Sequence, residues 1–193
     1  MSAAPQAGPH HQPCPDARVG FVFICPGRFE ASRGYPCAAG TGANLARVLV
    51  ALHARAPALF PSPSRDMYVI TNCWSTVEYP ALTGRSVPSE AEALAAPNLA
   101  RLQGEIATLD IIVACGAQAQ AALRELVRAG SISASVAYGR HLSQRSVNMI
   151  PGAADTPGRI QRWCDLVLAQ LAPSGAADSA AAVSMALTAS RVL

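Results

Sequence analysis

An α/β fold built on a central parallel sheet is the architecture this sequence predicts, and two observations carry it. Three runs, at 19–25, 67–72 and 110–115, are apolar at nearly every position or close to it, as strands covered on both faces are. Stretches with helical spacing of apolar residues alternate with them. Strands alternating with helices give a parallel sheet with helices on both faces. The expectation is a three-layer αβα sandwich with a central four-stranded parallel sheet, the fourth and weakest strand lying at 134–138.

The elements follow in order. Residues 1–17 are rich in Pro, Ala, Gln and His and read as a flexible N-terminal arm, with His10 and His11 as solvated side chains. The first strand runs into a loop of Pro, Gly and Arg reaching Thr41. A helix over 42–55 presents Leu45, Val48, Leu49 and Leu52 as its apolar stripe. After the second strand, Ser89 and Glu92 have capping-box spacing and open a long helix toward 109. Pro97 inside it marks a break or restart, with Pro97 in a first turn. Gly116 leads from the third strand into a helix over 117–129, which Gly130 stops. A last core helix is expected over 157–171. The domain therefore spans 18–172. The Ala/Ser-rich remainder, 173–193, reads as a tail in which Met185, Leu187 and Val192 allow a docked or frayed helix.

Composition narrows the chemistry. The 193 residues are 51% hydrophobic, enough for one domain with a sizeable core. The net charge of +3 permits a nucleic-acid partner without requiring one. All fifteen basic residues are Arg, a bias that a GC-rich genome also produces. No lysine amine exists to form a Schiff base. The six cysteines contain no C-x-x-C pair, which argues against zinc or iron–sulfur sites, so neither metal nor cofactor is expected. No charged segment precedes a long apolar stretch, and no apolar run reaches 18 residues. A cytoplasmic monomer without a membrane span is expected.

In doubly wound folds, ligands bind outside the carboxyl ends of the strands. The segments placed there are 26–41, 71–86, 115–118 and 139–148. The first contains Cys25-Pro26-Gly27-Arg28-Phe29-Glu30, then Tyr35-Pro36-Cys37-Ala38-Ala39-Gly40-Thr41-Gly42 before a helix. Backbone N–H groups at such a helix start can face an anion. The second strand ends in Ile70-Thr71-Asn72, the third continues into Cys115-Gly116, and the last loop contains His141-Leu142-Ser143.

Together these segments resemble the uracil-DNA glycosylase superfamily, in the correct order over roughly residues 18–170. Residues 26–45 are similar to its first motif, Ile70-Thr71-Asn72 to the end of the second strand in its iron–sulfur branch, and His141-Leu142-Ser143 to its final His-Pro-Ser motif. Departures accompany the likeness. The cluster cysteines of the iron–sulfur branch lack their spacing here. Cys25 stands directly before Pro26-Gly27, where the mismatch-specific branch has Asn. Cys37 replaces the Phe that stacks on uracil, and Leu142 replaces the final Pro.

The resemblance implies a DNA glycosylase that flips a pyrimidine out of double- or single-stranded DNA, and the absence of lysine argues for a monofunctional one that leaves an abasic site. It assigns Asn72 to the base edge and His141 to the departing base; Glu30, the acidic residue closest to the expected site, is the candidate to activate the attacking water, with Glu78 as runner-up. Cys25, Pro26, Gly27, Tyr35 and Cys37 would complete the base pocket. Arg28, Gly40, Thr41, Ser143 and Arg145 would meet DNA, and Leu142 would wedge into the gap left by the flipped base. The small residues Cys37, Ala38 and Ala39 point to a roomier pocket. The expected substrate is uracil or a bulkier modified pyrimidine, such as the glucosylated 5-hydroxymethylcytosine of phage DNA, which would place the enzyme in anti-phage defence. Two other readings compete: a catalytically inactive nucleic-acid-binding module on the same fold, and a nucleotide-binding or transferase domain of the doubly wound class.

Overall fold

A computed structural model describes residues 7–172. The tail expected at 173–193 lies outside the described residues. The chain forms β1 (His11–Gln12), β2 (Val19–Phe23), α1 (Arg28–Arg33), α2 (Gly40–Arg55), a 3-10 turn (Arg65–Met67) and β3 (Val69–Asn72). There follow α3 (Pro80–Thr83), α4 (Glu90–Ala93), α5 (Ala96–Ile106), β4 (Ile111–Cys115), α6 (Ala117–Arg128), β5 (Ser135–Gly139), α7 (Gln144–Asn148) and α8 (Thr156–Leu171).

The sheet has five strands in the order β1-β3-β2-β4-β5. β3, β2, β4 and β5 pair in parallel, with Phe23 opposite Asn72 and Cys115 opposite Gly139 at their carboxyl ends. β1 pairs antiparallel to β3, with His11 opposite Thr71 and Gln12 opposite Ile70. The sheet is therefore mixed and five-stranded, not four-stranded and parallel. The difference comes from the arm. Its residues 8–17 are docked rather than flexible, and His11 is buried. Without β1, β3 would present an unpaired edge, which proteins commonly cover. A two-residue strand between Pro9 and Pro13 has no periodicity to reveal it.

Helices cover both faces of the sheet, an arrangement compatible with an αβα sandwich. On one face Phe21, Ile70 and Val113 pack with Leu45, Val48 and Leu49 of α2 and Ile160 and Trp163 of α8. On the other, Val22, Ile112 and Ala114 pack with Leu102 and Ile106 of α5 and Ala122 and Leu123 of α6. Alternate residues of each strand thus feed two cores, which is why the strands read as continuous apolar runs. The helix expected over 89–109 is two helices. The Asn98 amide donates to the carbonyl oxygens of Ala93 at 2.7 Å and Cys73 at 2.6 Å, which fixes the break, and Pro97 lies in the first turn of α5. The loops at 26–41 and 139–148 also gain the short helices α1 and α7.

Candidate active site

The carboxyl ends of β2 and β3 open into a cavity of about 170 Å³ lined by Phe23, Cys25, Gly27, Glu30, Cys37, Thr41, Asn72 and His141. Seven of these are residues the sequence singles out, drawn from three separated segments. Phe23 is the one it misses. Phe23 closes the observed β2, and its ring meets the His141 ring edge-on at 5.7 Å between centroids.

Glu30 sits in the first turn of α1. Its Oε2 accepts from the Gly27 N–H and its Oε1 from the Ala38 N–H, both at 3.1 Å. One carboxylate thus joins the two ends of the loop and stays aimed by neutral donors rather than neutralised by a cation. Arg33, from the same helix, donates to the Ala38 carbonyl oxygen.

The wall carrying Cys37 needs a close approach. Cys37 adopts a left-handed conformation, φ 53°. A Cβ on Gly42 would lie 2.0 Å from the Cys37 carbonyl oxygen, so only glycine fits in the first turn of α2. Arg65 holds the wall from outside, donating to the carbonyl oxygens of Pro36 at 2.7 Å and Cys37 at 3.2 Å. Burial, with Glu78 and Glu30 nearby, pushes the Cys25 thiol up to about 12, and burial likewise pushes the Cys37 thiol well up. Both face the cavity as protonated thiols, not as nucleophiles.

Asn72 is 2% exposed. Its Nδ2 donates to the His10 carbonyl oxygen at 3.1 Å, leaving Oδ1 and a second N–H as its remaining polar capacity.

His141 accepts the Ser143 N–H on Nδ1 at 3.0 Å. That bond puts the proton of the neutral ring on Nε2. Burial lowers the pKa of His141 below its ordinary value, although Glu30 pulls the other way. The ring is therefore a neutral donor at neutral pH. Its loop is anchored from behind. Asn44, fully buried in α2, donates to the Leu142 carbonyl oxygen at 2.9 Å. Trp163 of α8 donates from Nε1 to the Arg140 carbonyl oxygen at 2.9 Å. Its indole packs where a Cβ on Gly139 would stand. Asn44, Arg65 and Trp163 are positioning residues to which the sequence alone assigns no role. A polar residue beside a helix's apolar stripe was the one signal available for Asn44.

Several expected site residues lie elsewhere. Leu142 is fully buried in the core and is not available as a wedge. Ser143 is the N-cap of α7, accepting from the Ser146 N–H. Tyr35 is exposed with the Arg65 guanidinium 5.3 Å over its ring, outside the cavity. Pro26 is buried, and its carbonyl oxygen accepts from the Glu78 N–H. Arg28, Gly40 and Arg145 are exposed. Glu78 is buried and occupied: Arg85 donates to its Oε1 at 2.6 Å and its Oε2 at 3.0 Å, and Trp74 Nε1 to its Oε1 at 3.1 Å. The Arg85 guanidinium holds this carboxyl down to about 2. It braces the 74–92 segment and does not line the cavity.

Among the described residues, no group of three or more His, Cys, Asp or Glu is placed to hold a metal ion, and no helix is long and apolar enough to cross a membrane. A scan against protein-family models finds no match for this chain, and a search of curated proteins finds no significant relative.

Proposed function

We propose that this chain is a monofunctional DNA glycosylase that takes a flipped pyrimidine into the cavity at the carboxyl ends of β2 and β3. The observation that carries the reading is convergence. An amide with donor and acceptor capacity, a carboxylate held by neutral donors and a neutral imidazole line one small cavity, each from a different segment. Hydrolysis of a base–sugar bond can use all three: one to bind the base edge, one to orient water and one to stabilise the leaving base.

Asn72 pairs with the edge of the base. Glu30 orients a water against the sugar carbon and takes its proton as the oxygen bonds. The base leaves with the bonding electron pair, and the Nε2–H of His141 donates to its carbonyl oxygen as negative charge gathers there. The Glu30 carboxylate also offsets the positive charge developing on the sugar. The absence of lysine leaves no side-chain amine for a Schiff base, so the product is an abasic site with the strand intact. Flanking phosphates would meet the exposed Arg28 and Arg145.

The substrate is uracil or a bulkier modified pyrimidine, such as a glucosylated hydroxymethylcytosine encountered in phage DNA. The small Cys37 side chain, the one among Cys37, Ala38 and Ala39 that lines the cavity, supports the larger base. A Cys37→Phe variant tests this: it should lose release of the bulky base, whereas unchanged bulky-base release sinks the idea. One observation favours the second reading, a nucleic-acid-binding module without catalysis. The residue before Pro26-Gly27 is a protonated thiol, so water activation falls on Glu30 alone.

Mass spectrometry of released bases separates the two. The panel is double- and single-stranded DNA carrying uracil, thymine opposite guanine, hydroxymethylcytosine or its glucosylated form, with Asn72→Ala as the control. Base release that the control lacks supports the glycosylase. DNA binding without release supports the binding module.

A further inference from the structure

The segment that the sequence presents as a flexible arm touches the residue assigned to base reading. The Asn72 Nδ2 donates to the His10 carbonyl oxygen. A carbonyl oxygen has no hydrogen to give, so that end of the amide is the nitrogen. Turning the amide over would set Oδ1 against another acceptor in a buried place, which costs the bond and leaves the His10 carbonyl oxygen with only the Thr71 hydroxyl at 3.3 Å.

The carbonyl is itself held. His10 Nε2 lies 3.3 Å from Glu105 Oε1, and Glu105 Oε2 accepts from Arg101 at 2.7 Å and from the Thr71 hydroxyl at 2.5 Å. Two residues along, Gln12 Oε1 accepts from Arg65 Nε at 3.1 Å and Nη2 at 2.9 Å. This is the same Arg65 that holds the Pro36 and Cys37 carbonyls of the cavity wall. A two-residue ladder is weak by itself. The His10 and Gln12 side chains supply the anchoring that the ladder lacks.

Uracil-type and cytosine-type pyrimidines present opposite edges. One places an N–H donor beside a carbonyl acceptor; the other places a ring-nitrogen acceptor beside an amino donor. An amide free to turn over pairs with either, and an amide held in one orientation pairs with one. We propose that the N-terminal strand is a specificity lock: through the His10 carbonyl it holds Asn72 in one orientation, so that the cavity accepts one of the two edges and rejects the other. The inference rests on the base-pocket reading above. His10 and Gln12 act through Asn72 and are positioning residues.

The test compares the full chain with a His10→Ala/Gln12→Ala double variant. Single-stranded oligonucleotides are supplied in matched pairs, uracil with cytosine and 5-hydroxymethyluracil with 5-hydroxymethylcytosine. The expected result is that the double variant's preference within a pair falls about tenfold or more, the scale of one buried hydrogen bond. His10→Ala alone gives a partial loss if the double variant does not fold. A purely structural arm would lower both rates together and leave the ratio unchanged. That outcome overturns the lock while the glycosylase reading stands. If the wild type releases no base, the glycosylase reading falls, and the Asn72 side-chain amide protons decide the lock by NMR. Slow solvent exchange in the wild type and fast exchange in the double variant uphold it; identical exchange in the two overturns it.

Discussion

The two ends of the sheet carry cavities of opposite character. At the amino ends of β2 and β4 lies the larger, about 560 Å³, with Cys14, Ala17, Val19, Leu59, Met67 and Ile111 in its lining. Its ionic rim is Asp16 and the Arg18–Asp110 pair, whose two exposed groups satisfy each other at 2.6 and 2.7 Å. The cavity at the carboxyl ends is about 170 Å³, yet Glu30, Asn72 and His141 all reach it. Their partners are backbone N–H and carbonyl groups, which aim a side chain without cancelling its charge. Under the proposed function, volume does not mark the working end; polar groups held in place with bonding capacity to spare do.

The sharpest way to break this comparison is to remove that capacity. His141→Ala should lower base release by about 100–1000-fold, the usual cost of one donor aimed at a leaving charge. Glu30→Gln should lower it about 100-fold or more. Both are read by single-turnover assay well below the melting temperature, because Glu30→Gln also turns an N–H toward one of its two backbone donors. The pH profile adds a sign. With the pKa of His141 lowered by burial, the ring stays neutral as pH falls through its ordinary 6.5. Release that persists below that pH fits a neutral donor. A loss on the alkaline side of 6.5 that follows the His141 ring resonances in an NMR titration would mean that the imidazolium is the active form.

A smaller effect is expected from the wall. Gly42→Ala puts a Cβ into the Cys37 carbonyl oxygen. It should destabilise the fold by about 1–3 kcal/mol, the cost of overpacking, and weaken base release further by displacing Cys37. Denaturant unfolding measures the first and the release assay the second. Wild-type stability with intact release would mean that the wall can yield.

How much of this was legible in the sequence depends on which bonds make it. The four parallel strands were readable because alternate residues of each feed two apolar cores, as Phe21 and Val22 do. Glu30, Asn72 and His141 were reachable because each ends or follows such a strand. β1 was not, since its two residues are set by pairing with β3 and by Gln12–Arg65, contacts 53 positions apart. Leu142 was misread as a wedge for a related reason. A leucine in an exposed-looking loop is pulled into the core when Asn44, 98 positions away, takes its carbonyl oxygen. Glu78 and Glu30 look alike in sequence; what separates them is Arg85, which binds one and not the other.

That last contrast gives a stability prediction. Glu78, Glu92 and Glu105 are each held down to about 2, below the ordinary carboxylate range: Glu78 and Glu92 chiefly by Arg85, and Glu105, despite its burial, by His10, Arg101 and Thr71. Lowered folded-state pKa values mean that their stabilisation is complete above about 4.3, the unfolded value for Glu. It is lost as pH falls from there toward 2. Denaturant unfolding at a series of pH values should show that decline, and Glu78→Gln should make it shallower. A variant that declines as steeply as the wild type would assign the acid sensitivity to other groups.

The smallest effect belongs to the amino end. Arg18 and Asp110 are both mostly exposed, so water and salt screen their attraction, and pairs of this kind contribute little. Arg18→Ala should leave base release unchanged and barely move the melting temperature, measured at low and physiological salt. The null result is informative because the variant opens the rim of the larger cavity without touching any group near the smaller one. If base release instead fell tenfold or more, the smaller cavity would not be the site of base release. The apolar cleft would then be a working surface, and Asn72, Glu30 and His141 would need another explanation for meeting in one place.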